Sequence, residues 1–449
     1  MKMDDPKQNL KICVIGAGMA GLTSALALNK EGFKHVEVFE TASDLGFVGA
    51  GIQLAPNMSR ILDGLGGWKD IEREAVELER TSIREGSSDE ELGSVELGYI
   101  QEEYGYPHMV GHRHSLTQGL YNGCKKYTDL KFHFGTSVHE VHDLSPKPSF
   151  TISSRGGEKE RGECDILLAC DGIKSRIREK MLMDLGVDAK VVDSEQAAYR
   201  ILLTKEQMED DPGLLELINT SGVSRWIGEH RHIIAYPISS KRIYNIATTQ
   251  PDINFAISPS ETYTTKGSKS TMLKVFEDFN PKVRCLLNLV PDCEVCEWKL
   301  RLHAPLPTWV RGNMALVGDA CHPTLPHLAQ GAAQAVEDGA VMAVCLGMLE
   351  DGSRESVDRA LRVYEKIRKE RAENIVELAA ASARSLHLGE GRLKEEKDRL
   401  FRDLREARGK GVPDKWADRE VQKMVYGVDC VGIAREKFAE FWGEVEREG

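Results

Sequence analysis

The chain has 449 residues, 41% hydrophobic and 29% charged, which suits two or three soluble domains with sizeable cores. Its 71 acidic against 59 basic residues give a net charge of −12, which argues against a nucleic-acid partner and against an anionic membrane surface. The ten cysteines follow no disulfide framework, the N-terminus MKMDDPKQNL is polar, and no apolar run reaches the roughly 18 residues of a membrane span, so a reducing, cytoplasmic location is expected.

The first element is the apolar run Ile12 to Ile15, which reads as a buried parallel strand. Gly16, Gly18 and Gly21 follow in G-x-G-x-x-G spacing, and helix formers continue from Leu22 to Asn29. A second strand from His35 to Phe39 ends in Glu40, about twenty residues past the last glycine, where an acidic residue can bind a ribose. In this arrangement Gly16 permits the tight turn, Gly18 lets a pyrophosphate approach the backbone, and Gly21 lets the helix lie on the strand. The helix N-terminus offers free N–H groups to the phosphates. The stretch predicts an adenine dinucleotide.

Further along, the spacing predicts a helix after Pro56, a polar strand-and-loop excursion from 80 to 108, and, opened by His112-Arg113-His114, an apolar-periodic helix from Leu116 to Cys124. Strands are expected around Phe132 to Val141, at Phe150 to Ser153 and at Asp165 to Cys170. From 195 to 300 the alternation at Ser224 to Gly228, Ile233 to Pro237 and Arg242 to Thr248 predicts an antiparallel sheet. A buried strand at Asn313 to Val317 precedes a loop and a helix from about Ala332 to Leu349. Beyond 355 the pattern is helical, and the charged stretch 390–410 is expected to be a solvated helix face.

Two later strands end in Asp loops, Asp171-Gly172 and Gly318-Asp319, at the strand ends where open α/β sheets bind ligands. Such a carboxylate can accept hydrogen bonds from sugar or ribityl hydroxyls. Neither the His pairs 112/114 and 230/232 nor Cys293 with Cys296 has the further ligands a metal needs, so no metal site is expected. Gly64-x-Gly66-Gly67 follows a helix rather than a strand and makes a poor second dinucleotide site.

With Gly318-Asp319-Ala320-x-His322-Pro323, Pro326 and Gln330-Gly331-Ala332, the chain resembles the single-component FAD-dependent aromatic hydroxylases, in particular salicylate-hydroxylase-like fungal enzymes, over roughly residues 10 to 385. The resemblance implies an α/β fold: a Rossmann-like FAD-binding domain, an inserted antiparallel-sheet substrate domain as in p-hydroxybenzoate hydroxylase, and a helical C-terminal region. The expected division is 1–80, 110–190 and 300–385 for FAD, 81–109 and 191–299 for substrate, and 386–449 for the helical region. Gly16, Gly18, Gly21 and Glu40 would hold the ADP half of FAD, Asp171 would lie near the pyrophosphate and Asp319 would bind the ribityl chain. Ala50, Gly51, Arg113 and Pro326 would also contact the cofactor, with the Gly331-Ala332-Ala333 turn against the flavin ring. The family pattern usually has a small residue and then Asn after Gly331-Ala332, where Ala333-Gln334 stand here.

The implied reaction takes NADH or NADPH as a transient reductant and O2 as oxidant. It hydroxylates or epoxidises a phenolic or indolic small molecule through a flavin C4a-hydroperoxide, in secondary metabolism, by a monomer or homodimer. Arg200 is placed against the substrate in related fungal enzymes, so Arg200, Tyr199 and Tyr236 are the catalytic candidates. For Arg200 the expected role is to stabilise a substrate oxyanion or protonate the hydroperoxide; a plain edge-strand salt bridge is the alternative, and packing is the alternative for Tyr236. His322 is expected to make a structural hydrogen bond. A same-fold flavin reductase without oxygen insertion and a non-catalytic FAD-binding protein are the competing readings.

Overall fold

A strand that is apolar on both faces needs cover on both sides, and Lys11–Ile15 has it. In the computed structural model this strand lies inside a six-stranded sheet ordered Val310–Arg311, Met314–Leu316, Ile166–Ala169, Lys11–Ile15, His35–Glu40, Leu130–Phe134. The pairings are parallel except at the edge hairpin, and Val14 lies opposite Leu168 on one side and Val38 on the other. The structure describes residues 6–46, 49–188, 191–252, 264–292, 294–386, 391–405 and 415–448; Cys293 of the cysteine pair lies outside them.

Two helices cover this sheet at close range, Met19–Lys30 and Gly331–Gly347. Their approach depends on small residues, since a side chain on Gly339 would come within 2.9 Å of the Ser24 nitrogen. The second helix is the one expected at 332–349.

The alternating region forms an eight-stranded sheet ordered Thr264–Lys266, Cys296–His303, Val191–Thr204, Ile243–Pro251, Arg231–Ile238, Gly222–Gly228, Arg80–Glu85, Glu91–Glu96. It is antiparallel except where Gly222–Gly228 pairs in parallel with Arg80–Glu85. That one pairing ties the early polar excursion to the later sheet. A small sheet of Gly51–Leu54, Met109–His112 and Val76–Glu77 forms a separate pairing group.

The charged stretch around 390–410 departs from expectation. Over Arg392–Arg405 it is a helix, but Phe401 is fully buried against Ile83 and Ile227 on the large sheet. An amphipathic helix that carries even one large apolar side chain toward a neighbour is anchored there, however charged its other faces. Further on, Trp416, Val425 and Tyr426 are buried in a cluster that also holds Tyr104, Val110 and Tyr236.

The long helix Arg354–Leu386 delivers a fully buried cation, Arg368, to the back of helix Gly331–Gly347. Arg368 donates to Asp338 (2.9 Å), Glu337 (2.5 Å) and Gln334 (2.6 Å). Arg371 bonds Glu337 as well, and Asn57 donates to the same carboxylate at 2.7 Å. Burial alone would raise both carboxyl pKa values, but the guanidinium charge of Arg368, with His322 at Asp338 and Arg371 at Glu337, outweighs it and holds each at about 2. The stabilisation from these two carboxylates is therefore complete above the ordinary carboxylate pKa of about 4 and is lost as the pH falls toward their folded values. Replacing Arg368 by Met leaves two buried anions short of a partner and should lower unfolding free energy by about 3–5 kcal/mol, read by urea denaturation at neutral pH.

Candidate active site

The glycine turn is built so that only glycine serves at two of its positions. Gly16 has φ +103, and a Cβ there would lie 2.5 Å from the Cys170 carbonyl oxygen. A Cβ on Gly21 would lie 1.9 Å from the Gly16 oxygen. Gly18 is different: nothing lies within 4 Å of its would-be Cβ, so the space beside it is open to a ligand. Gly18 also caps helix Met19–Lys30, whose first N–H groups have no intrahelical acceptor. The Glu40 carboxylate accepts from the Ala17 and Ala42 N–H groups, both at 2.8 Å, and so braces this turn.

Asp171 follows strand Ile166–Ala169, directly beside Gly16. One of its carboxylate oxygens accepts from Arg176 N (3.1 Å); the other is buried without a partner, and burial raises its pKa. A buried acceptor lacking a donor at this strand end fits a hydroxyl-bearing ligand. Asp319 lies in the turn Gly318–Ala320, where Gly318 (φ +67) donates its N–H to Asp338 at 2.9 Å. The Asp319 carboxyl meets solvent through the cavity while surrounded by protein, and this burial raises its pKa against the pull of His322, Arg113 and Arg200. Arg113 starts helix Arg113–Cys124, and its N–H donates to the Ala50 carbonyl. Its own pKa is lowered by burial, with Asp319 opposing.

Between these loops and the large sheet lies a cavity of about 330 Å³. Gly18, Arg113 and Asp319 line one side, Pro326, Gly331 and Ala332 line the end of it, and Ala50 and Gly51 join that side to the large sheet, where Gly51 packs on Asn245 and Tyr236. Helix Gly331–Gly347 begins there with its first backbone bond at Gln334 N, so the N–H groups of residues 331 to 333 lack intrahelical acceptors. Ala333 does not line the cavity: its side chain is packed in the core, which leaves only its backbone available.

The opposite wall comes from the large sheet, and strand periodicity decides which residues reach it. Ala198 and Arg200 on strand Val191–Thr204 line the cavity, as do Ile234 and Tyr236 on Arg231–Ile238. The Arg200 guanidinium lies 4.7 Å from the centroid of the Trp298 ring. Burial, with Arg113 nearby, lowers its pKa to about 10, while Tyr236 and Asp319 oppose the shift. Tyr236 is buried, which raises its pKa. Tyr199 corrects the sequence reading: as the neighbour of Arg200 it points to the other face and is fully buried among Leu203, Met272 and Phe276.

His322 Nε2 is hydrogen-bonded to Asp338 at 2.5 Å, the structural role expected for it. Cys321, His322 and Asp338 bring possible ligand atoms within 4.8 Å of one another, but the Asp338 oxygens are already committed to Gly318 N, His322 and Arg368. Sequence reasoning passed over Gln53, Asn245 and Trp298. Asn245, Ala247 and Thr249 carry the period-two signal that could have marked this wall.

A glycine turn open at Gly18, an unpaired carboxylate oxygen at Asp171 and a helix start at Gly331 together fit a flavin dinucleotide laid across the strand ends. The FAD binding domain family matches residues 9–379, and the chain belongs to that family. It is 30% identical over 414 residues, 92% of each chain, to the FAD-dependent monooxygenase ntnJ of a Nectria species. It is 30% identical over 387 residues to 3-hydroxybenzoate 6-hydroxylase of Polaromonas naphthalenivorans (strain CJ2), covering 86% of this chain and 90% of the relative. Among solved structures it superposes on CtdE in complex with FAD and substrate 4 with a TM-score of 0.80 at 19% identity, covering 98% of this chain and 100% of that one. A salicylate hydroxylase substrate complex gives 0.76 at 22% identity, over 96% and 98% of the two chains. The protein is an FAD-dependent monooxygenase.

Because a side chain at Gly18 meets only open space, Gly18→Val should leave the melting temperature of the FAD-free protein unchanged. The same variant should weaken FAD binding by about 100-fold or more in a fluorescence titration, as a branched side chain would stand where the phosphates approach.

Proposed function

We propose that the protein inserts one atom of O2 into an electron-rich aromatic ring, phenolic or indolic, as hydroxylation or epoxidation. For hydroxylation the balance is aromatic C–H, O2, NAD(P)H and a proton going to phenol, water and NAD(P)+. The observation that carries this reading is Arg200, a cation held on the cavity wall of the sheet, facing the loops of Asp319 and Gly331. The relatives support it, since three are named as 3-hydroxybenzoate 6-hydroxylases and two as 6-hydroxynicotinate 3-monooxygenases.

FAD, when bound, supplies the redox chemistry between nicotinamide, oxygen and substrate. Around it we assign Gly16, Gly18, Gly21 and Glu40 to the ADP half, Asp171 to the pyrophosphate end and Asp319 to the ribityl chain. Ala50, Gly51, Arg113 and Pro326 complete the cofactor shell. The N–H groups at Gly331, Ala332 and Ala333, at the positive end of a helix, would stabilise negative charge on the bound cofactor. Arg200 remains protonated at neutral pH with a pKa of about 10, so its N–H groups are available to stabilise a substrate oxyanion or to pass a proton to the departing oxygen. Tyr236 forms part of the substrate wall. NADH or NADPH visits without a dinucleotide fold of its own.

We assign 1–80, 110–190 and 300–385 to cofactor binding, 81–109 and 191–299 to substrate binding, and 386–449 to a C-terminal helical region. We propose a cytoplasmic monomer or homodimer. Among the described residues no helix is long and apolar enough to cross a membrane.

A screen of phenols and indoles for oxygen-dependent NAD(P)H oxidation, with product mass measured, tests the reaction. A gain of one oxygen is expected; a gain of hydrogens would establish the reductase alternative instead. Arg200→Ala should lower product formed per NAD(P)H consumed by about 100-fold while leaving FAD content intact. Unchanged coupling would remove Arg200 from the chemistry.

A further inference from the structure

The cavity wall beside Tyr236 contains two carboxamides, and the structure settles which way each one points. Gln53 lies on strand Gly51–Leu54, is 5% exposed and lines the cavity. Its Oε1 is 3.0 Å from His108 Nε2, while His108 Nδ1 is buried without a partner. A bare ring nitrogen is tolerated in a core far better than an orphaned N–H, so the proton belongs on Nε2 and His108 is the donor. His108 is 1% exposed, and burial alone brings its pKa down to about 3, so the ring is neutral at any ordinary working pH. With its carbonyl engaged, the Gln53 amide must present its NH2 group away from His108, and among the described residues no protein group accepts from it.

Asn245 repeats the logic from the other side. Its Oδ1 accepts from the Gly51 N–H at 2.7 Å, and its Nδ2 is buried with no hydrogen-bond partner. Gly51 and Gln53 are two residues apart on one strand face, about 7 Å, so the two amides are neighbours along the same wall. The close packing at Gly51 holds them there, since a Cβ on Gly51 would lie 2.5 Å from Asn245 Cγ and 2.8 Å from a Tyr236 ring carbon. Two NH2 groups left without acceptors in a largely buried wall are an unmade pair of hydrogen bonds. Arg200, on the same sheet, adds only further donors.

Building on the aromatic monooxygenase reading, we propose that Gln53 and Asn245 form a donor pair that reads a carbonyl oxygen on the aromatic substrate, with His108 as the positioning residue that aims Gln53. A neutral carbonyl suits two neutral amides, because it accepts two hydrogen bonds and brings no donor of its own and no charge to bury. A hydroxyl can accept from the same amides, but it brings a proton of its own that needs a further acceptor. His108 is in turn held by ring contacts from the C-terminal region, edge-on to Trp416 at 5.3 Å and tilted against Tyr426 at 5.7 Å. That region thus bears on substrate choice without touching the substrate.

The test uses the FAD-loaded enzyme without reductant and follows the flavin visible spectrum as two probes are titrated, 3-hydroxyacetophenone and 3-ethylphenol. They share a skeleton and differ in the carbonyl. The wild type should bind the ketone about tenfold more tightly, and Gln53→Leu should erase that preference while leaving ethylphenol binding and FAD content unchanged. Gln53→Asn, one methylene shorter, is the second variant in case the leucine form folds poorly, and it should lose the same preference. His108→Phe keeps the ring contacts and removes the donor, and should cost the ketone alone about threefold. Equal weakening of both probes, a fall in FAD content, or no ketone preference in the wild type would overturn the proposal. So would 3-hydroxybenzoate replacing the ketone as the probe that depends on Gln53. If no aromatic compound stimulates oxygen-dependent NAD(P)H oxidation, the broader reading falls; if some do while the two probes bind alike, only the donor pair falls.

Discussion

The structure turns on a buried ionic cluster that no ligand would touch. Arg368 is the hub, with Glu337 and Asp338 on one helix, Asn57 on another, and Arg371 one turn further along its own. Through Asp338 the cluster reaches His322 and the Gly318 N–H, which fixes the turn that presents Asp319. Through Asn57 it reaches Gln330, immediately before the helix start at Gly331. Arg371 carries it outward to the carbonyls of Met424 and Val425 in the C-terminal region. Pairs of buried charges are often no more stabilising than apolar residues of the same size. Here the stronger reading is geometric: the turn of Asp319 and the helix start at Gly331, both on the cavity, are referenced to one rigid point.

On the other side of the cavity, position is set by alternation instead of charge. Ala198, Arg200, Asn245, Ala247, Ile234 and Tyr236 come forward from three adjacent strands because each is two residues from the next. A shift of one residue in any pairing would exchange Arg200 for Tyr199 at the wall. The wall is then completed by a strand from elsewhere, Gly51–Leu54, whose glycine lets it lie against Asn245 and Tyr236.

How far the sequence could be read follows from the range of each interaction. Gly21 and Glu40 were legible because their partners lie within one strand–turn–helix–strand unit, Gly16 because the same turn sets its positive φ even though its close neighbour is Cys170, and Asp171 and Asp319 because each ends a recognisable apolar strand. Tyr199 and Arg200 were not separable, since adjacent strand residues are equivalent until the register with Ile243–Pro251 and Cys296–His303 is known. Gln53 looked like any polar residue until His108, 55 positions later, engaged its carbonyl. Arg368 sits among charged helix residues and looks like a solvent-facing one. The charged stretch near 400 misled for the converse reason: a single phenylalanine, Phe401, outweighed its neighbours.

The order of strands in the six-stranded sheet bears on how the protein comes into being. Lys11–Ile15 precedes its neighbour Ile166–Ala169 by about 150 residues and the next strand, Met314–Leu316, by about 300, so it is made long before either of them. The large sheet waits as well, because Arg80–Glu85 has to find Gly222–Gly228. Contacts this distant along the chain close slowly, and until they close the apolar strand stands uncovered. The three loops that would grip the dinucleotide come together only after residue 319 has emerged, and the Arg368 contacts that hold the last of them come later still, so the cofactor would meet its full grip late in folding.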